Sequence, residues 1–169
     1  AQLGSLLAAA GVRLVFGGGQ VGLMGVMADA ALAAGGTVVG VIPHHLHDLE
    51  VGHPGVTTLH VVDTMHARKE LMFRESDAFA VLPGGLGTMD ETFEIITWKQ
   101  LGLHDKPIII VNTGGYWSPF LALFDHIADR GFAGPETRRY FRVVDDVAEV
   151  LPAIAAAPEP AAPARSDQI

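Results

Sequence analysis

The sequence predicts a doubly wound α/β sandwich: a parallel sheet with helices on both faces. Three observations predict it. Short β-branched runs alternate with longer stretches, and the runs are continuously apolar, as strands buried on both faces require. The stretches between them carry apolar residues at three- and four-residue spacing, as crossover helices do. In chain order, a helix over Leu3 to Ala10 feeds a strand over Leu14 to Phe16, and Leu23 to Ala34 is the next helix. Strands follow at Val38 to Ile42 and at Leu59 to Val62, and helix Met65 to Arg74 leads into strand Ala78 to Leu82. Helix Glu91 to Leu101, strand Ile108 to Val111, helix Pro119 to Arg130 and strand Phe141 to Val144 complete the alternation. The architecture expects one more strand ahead of Leu3, so the first strand is read as missing from this chain. Residues 1–154 are expected to form a single domain. Residues 155–169 are read as a disordered tail, because Ala155 to Arg165 is Ala/Pro-rich without periodicity. In such a fold the ligand site lies beyond the carboxyl ends of the strands, in the βα turns.

Composition narrows the function classes. With 169 residues and 49% hydrophobic content, the chain can bury one sizeable core. A net charge of −8 and a pI near 5.3 argue against a nucleic-acid backbone as partner. The absence of cysteine removes disulfides, thiolate metal sites and cysteine nucleophiles. No apolar stretch approaches the roughly 20 residues of a bilayer span, and no basic segment precedes an apolar one, so a cytoplasmic protein without membrane partners is expected. Charged residues make up 18%, below the roughly 25% usual for globular chains, which predicts surface buried against a second copy in a homodimer or larger assembly.

Two glycine clusters sit where strands turn into helices. In the first, Gly17, Gly19 and Gly22 satisfy G-x-G-x-x-G, a spacing that brings backbone N–H groups close to a phosphate at a helix N-terminus. A dinucleotide site also needs an acidic residue at the end of the next strand, and Val41-Ile42-Pro43-His44 has none. The second cluster, Pro83-Gly84-Gly85-Leu86-Gly87-Thr88, offers backbone amides and a hydroxyl as a phosphate cradle, without the Gly-Lys-Ser/Thr of a triphosphate-hydrolysing loop. Thr88 and Glu91 also fit a capping box, Thr-x-x-Glu. Yet Asp90 and Glu91 place negative charge beside the proposed anion, and that charge has work to do in N-glycoside cleavage, where a carboxylate stabilises an oxocarbenium ion or activates water. The adjacent cations Arg68 and Lys69 near a helix N-terminus suggest an anion nearby, against the blander reading of a solvated face. His44 and His47 could share one side of a turn, but no further ligand recurs at a helical metal spacing; they are read as polar loop residues, and no metal site is expected.

Together, the Gly-Gly-Gly-x-x-Gly-Leu-Met-Gly run, Met65-His-x-Arg-Lys69 and Pro83-Gly-Gly-x-Gly-Thr-x-x-Glu91 resemble the LONELY GUY (LOG) family of cytokinin riboside 5′-monophosphate phosphoribohydrolases. The likeness extends to Thr97-Trp98-Lys99-Gln100-Leu101-Gly102 and Asn112-x-x-Gly-Tyr116. It implies a Rossmann-like fold, an assembly of at least two subunits, and release of a free base and ribose 5-phosphate. By position it implies that Arg68 and Glu91 are catalytic. It implies substrate contacts from Gly18, Gly19, Glu50, Lys69, Gly84, Gly85, Leu86, Gly87, Thr88, Met89, Asp90 and Thr97, with no cofactor. Relatives begin with a strand and a Cys/Gly-Ser-Ser loop that this chain lacks.

The expected activity is hydrolysis of the N-glycosidic bond of adenosine 5′-monophosphates, preferably N6-prenylated ones. The alternative is a non-catalytic nucleotide or molybdenum-cofactor carrier on the same fold, in which Glu91 would be dispensable. The family's older label, lysine decarboxylase, demands a Schiff-base lysine and an acidic partner for a pyridoxal ring. Only Lys69, Lys99 and Lys106 exist, and none lies in such a framework.

Overall fold

Continuously apolar strands flanked by amphipathic stretches do fold as parallel α/β layers. The computed structural model describes residues 1–50 and 52–158, with the side chains of 48–50 and 135 outside the description. The chain forms two compact units, Ala1–Ser76 and Asp77–Ile169. Each is built on its own three-stranded, wholly parallel sheet.

In the first unit the sheet order is β1 (Leu14–Phe16), β2 (Val38–Pro43), β3 (Thr58–Val62). β2 is central, pairs Leu14 with Val38 on one side and Val39 with Thr58 on the other, and is buried along its whole length. That burial is why its run Val-Val-Gly-Val-Ile-Pro shows no polar alternation. Helices α1 (Gln2–Ala9) and α2 (Gly22–Ala33) bury Leu3 and Leu7 with Ala28 and Ala31. Gly4 allows this close approach, since a side chain there would come within 2.9 Å of Ala31 N. α3 (His44–Glu50) occupies the stretch read as polar loop. Its half-buried Leu46 supplies packing that the polar, histidine-rich sequence hides. α4 (Met65–Arg74) opens at Thr64, whose hydroxyl accepts from Ala67 N at 3.0 Å, an N-cap worth about 1 kcal/mol.

In the second unit the order is β4 (Phe79–Val81), β5 (Ile108–Val111), β6 (Arg142–Val144), again with the central strand fully buried. α5 (Leu86–Gln100), α6 (Ser118–Asp129) and a short α7 (Val150–Ala155) accompany it, with 3₁₀ turns at Thr113–Gly115, Pro135–Arg139 and Val147–Glu149. Val81, Ile96, Ile108, Ile110, Trp117, Phe120, Phe124 and Phe141 form its core. Phe93, Phe120 and Phe124 pack with ring centres 5.0–5.7 Å apart, and such ring pairs add to burial by about 0.5–1.5 kcal/mol each.

α5 starts five residues before the expected Glu91. The run Gly84-Gly85-Leu86-Gly87 reads as loop on propensity alone, but Met89 and Phe93 pack against the unit's core and carry the helix back to Leu86. The residues read as tail from 159 onward lie outside those described, while Ala155 closes α7. No helix among the described residues is long and apolar enough to cross a membrane.

Candidate active site

The site residues expected from the sequence divide between the two units. In the first, Arg68 is the best defined. It is 9% exposed, which overturns the solvated-face reading for this residue. Its Nε donates to Val41 O at 3.2 Å, near the carboxyl end of β2. The guanidinium also fills the space that a side chain on Gly17, just past β1, would need. A permanently charged planar donor is thus held where two adjacent strands end, the place this architecture reserves for ligands. Because α4 begins at Met65, Arg68 lies beyond the first three helical positions, so its placement is set by these contacts more than by the helix dipole. Lys69 beside it is half-buried.

Gly18 and Gly19 are buried and tied to the segment after α3: His53 N donates to Gly18 O at 2.9 Å, and Gly19 bridges Gly52. His53 was not singled out by its sequence pattern. Its Nδ1 accepts from Gly55 N at 3.2 Å, so Nε2 carries the proton and donates to Asp29 Oδ1 at 3.0 Å. His53 therefore holds the first glycine loop through its backbone N–H and α2 through its side chain; no signal in the sequence links His53 to Asp29. Glu50 is the last residue of α3, and its side chain lies outside those described. His44 is exposed, with Nε2 at 3.9 Å from Asp63 Oδ1.

In the second unit, Gly85 is the N-cap of α5, with extended backbone. The first amide to find an acceptor within the helix is Met89 N–H, at Gly85 O, 3.1 Å away. The N–H groups of Gly85, Leu86, Gly87 and Thr88 precede it, and they constitute the positive, donor-rich end of the helix. A side chain built on Gly85 or Gly87 would meet nothing within 4 Å, so the space beside both residues is open. At Gly84 the Thr88 hydroxyl takes that space. The arrangement can receive an anion against bare backbone.

The cap position excludes the capping-box reading of Thr88 and Glu91. With Gly85 as N-cap, Thr88 is the third helical residue and Glu91 the sixth, so the pair forms no capping box and Glu91 is not used to close the helix end. Glu91 is half-buried one turn beyond the amides, Asp90 is exposed, and Met89 packs on the core. Leu86 is 85% exposed. Thr97 is exposed and stands about 14 Å along the axis from Thr88, so the helix does not bring it to the amides.

The lysines bear on cofactor chemistry. Lys99 Nζ donates to Lys106 O at 2.8 Å and Asp105 O at 3.4 Å, and burial lowers its pKa against the partial opposition of the Asp105 carboxylate. Lys106 sits 6.0 Å from the Phe79 ring centre, and burial lowers its pKa against the pull of Asp77. Neither is presented for a Schiff base, and Lys69 follows directly on Arg68; the residues do not fit a pyridoxal site. A cavity of about 180 Å³ beside Lys99, Arg139 and Arg142 is lined by none of the expected site residues.

Comparison with known proteins places these features in a lineage. Residues 24–154 match a family described as possible lysine decarboxylase. The chain is 48% identical over 153 residues to a cytokinin riboside 5′-monophosphate phosphoribohydrolase of Rhodococcoides fascians, covering 90% of this chain and 77% of that protein. It is 50% identical over 138 residues to the probable phosphoribohydrolase LOGL1 of Oryza sativa subsp. japonica, covering 82% and 62% respectively. Against the Arabidopsis thaliana phosphoribohydrolase LOG1 the figures are 43% over 137 residues, 81% and 64%. The chain therefore spans less than two thirds of these two plant proteins. Among solved structures, the molybdenum cofactor carrier protein of Chlamydomonas reinhardtii superposes with a TM-score of 0.67 at 25% identity, over 91% of this chain and 82% of that one.

Proposed function

The chain belongs to the LONELY GUY family, and from that premise we propose that it hydrolyses the N-glycosidic bond of adenosine 5′-monophosphates, N6-prenylated ones by preference. Water adds to C1′ of the ribose, the C1′–N9 bond breaks with its electron pair passing to the purine, and the purine leaves protonated. The products are free base and ribose 5-phosphate. The amides of Gly85 to Thr88 take the 5′-phosphate. Glu91 stabilises the ribosyl cation or draws the proton from the attacking water, and Arg68 orients the substrate. Lys69, Gly18, Gly19, Glu50, Asp90 and Thr97 are assigned to substrate contact on the family resemblance.

The observation that carries this reading is the position of α5's first residue. A helix beginning at Leu86 leaves Glu91 without a capping task, one turn from amides that have no acceptor within the helix. The match runs across both units, which supports one functional domain over 1–154. The low charged fraction of 18% supports a homodimer or larger assembly, to be read by sedimentation.

Chromatography of the base released from AMP and from isopentenyl-AMP tests the reading. Release from either is expected; release from neither, with intact nucleotide recovered in a tight complex, favours the carrier alternative. That alternative rests on likeness at 25% identity, against 48% for the hydrolase.

A further inference from the structure

The Asn112-x-x-Gly-Tyr116 segment has no part in the chemistry assigned above. It follows β5 as a turn that returns on itself: Gly115 N donates to Asn112 O at 2.9 Å, and Trp117 N donates to the Asn112 side-chain oxygen at 2.7 Å. Gly114 and Gly115 adopt φ of 63° and 75°, which side-chain-bearing residues rarely do, so the turn takes this path because both are glycine. Thr113 Oγ1 ties it further, donating to Asp145 O at 3.1 Å. The turn ends by packing the Tyr116 ring edge-on against Trp117, 5.0 Å between centres, with Trp117 itself 1% exposed. A half-exposed tyrosine is thereby given a fixed direction. Its hydroxyl donates to Gly84 O at 2.7 Å.

That carbonyl belongs to the peptide unit whose N–H is the Gly85 amide. In a planar trans peptide the C=O and N–H point opposite ways, so a partner that holds the oxygen on one side aims the hydrogen to the other. The restraint is needed here because Gly84 and Gly85 are both glycine, and no side chain on Gly85 resists rotation of the plane. Rotated, the unit would present its carbonyl oxygen to an anion in place of its N–H.

We propose that Tyr116 is a positioning residue for the phosphate of the substrate: it locks the Gly84–Gly85 peptide plane so that the Gly85 N–H faces the bound 5′-phosphate. The proposal rests on the hydrolase reading for the identity of the anion. Tyr116 touches no reacting atom; it acts through the loop.

Tyr116→Phe in the full chain, which removes one oxygen from a half-exposed ring, tests this. Binding of ribose 5-phosphate and of ribose is measured by calorimetry, and base release from AMP by steady-state kinetics. Ribose 5-phosphate affinity is expected to fall about tenfold, the scale of one lost hydrogen bond to a charged group. Weak ribose binding should be unchanged, KM for AMP should rise with kcat kept within a few fold, and the melting temperature should be nearly the same. Equal ribose 5-phosphate affinity in variant and wild type overturns the proposal, as does a change confined to melting temperature or to kcat. If wild type binds ribose 5-phosphate in a Tyr116-dependent way but releases no base, the hydrolase reading fails and the positioning role stands. If it releases base and Tyr116→Phe behaves as wild type, the reverse holds. Failure to bind ribose 5-phosphate at all overturns the positioning role.

Discussion

The guanidinium of Arg68 and the absent side chain of Gly17 make a close fit, and the two can be tested separately from stability. In Gly17→Ala the new methyl meets the end of a flexible side chain, which can swing away at little cost to the fold. Melting should change little, while base release should fall at least tenfold because Arg68 is displaced. Gly25→Ala is the control, since its methyl meets the backbone of Gln20, which cannot yield, and here the melting temperature should drop. Glu91→Gln keeps shape and helix propensity and removes no helix cap. Base release is expected to fall by about two orders of magnitude or more, the scale of a general acid or base. Wild-type rates in that variant would remove the carboxylate from the mechanism. At this scale the sequence was informative about residue type and poor about surroundings. It marked Arg68 and Glu91 by charge and spacing, but the burial of Arg68 under Val41 and the tie between His53 and Asp29 depend on residues more than 20 positions apart.

At the scale of the element, the far end of α5 carries a titration. His104 is buried, donates from Nε2 to Ile95 O at 2.8 Å and accepts at Nδ1 from Lys106 N at 3.1 Å, so both ring nitrogens are committed to the neutral form. Burial lowers its pKa; the bond to Ile95 and the Asp105 carboxylate oppose, and the ammonium groups of Lys99 and Lys106 add to the lowering. The unfolded chain takes up the proton at the ordinary value of about 6.5, and the native ring only at lower pH. This contribution to stability is therefore complete above about 6.5 and is lost as pH falls toward the native value. Denaturant unfolding followed from pH 8 to 5 should show it, and His104→Gln should be less stable at pH 8 with a shallower decline on acidification. The strands were legible to within one or two residues because continuous apolar runs are unambiguous in a parallel sheet. The start of α5 and the whole of α3 were not, because glycine and histidine composition signals loop while packing of Met89 or Leu46 decides for helix.

For the whole molecule, charge sets the behaviour in bulk. The chain carries −8 with neutral histidines and has eight of them, so protonating all of them cancels the net charge. Solubility should be lowest near pH 5.3, rise on either side, and be readable by light scattering across a pH series. The fold class was legible because the alternation of strand and helix is written along the chain. That the strands hydrogen-bond as two ladders of three was not, since periodicity is silent about which edges pair. The division into Ala1–Ser76 and Asp77–Ile169 also has a consequence during synthesis. Every strand of the first ladder, and every helix packed on it, is translated before the first strand of the second. The amino-terminal half can acquire its hydrogen bonds while the carboxyl-terminal half is still being decoded, so a ribosome stalled shortly after that half emerges should display a protease-resistant fragment.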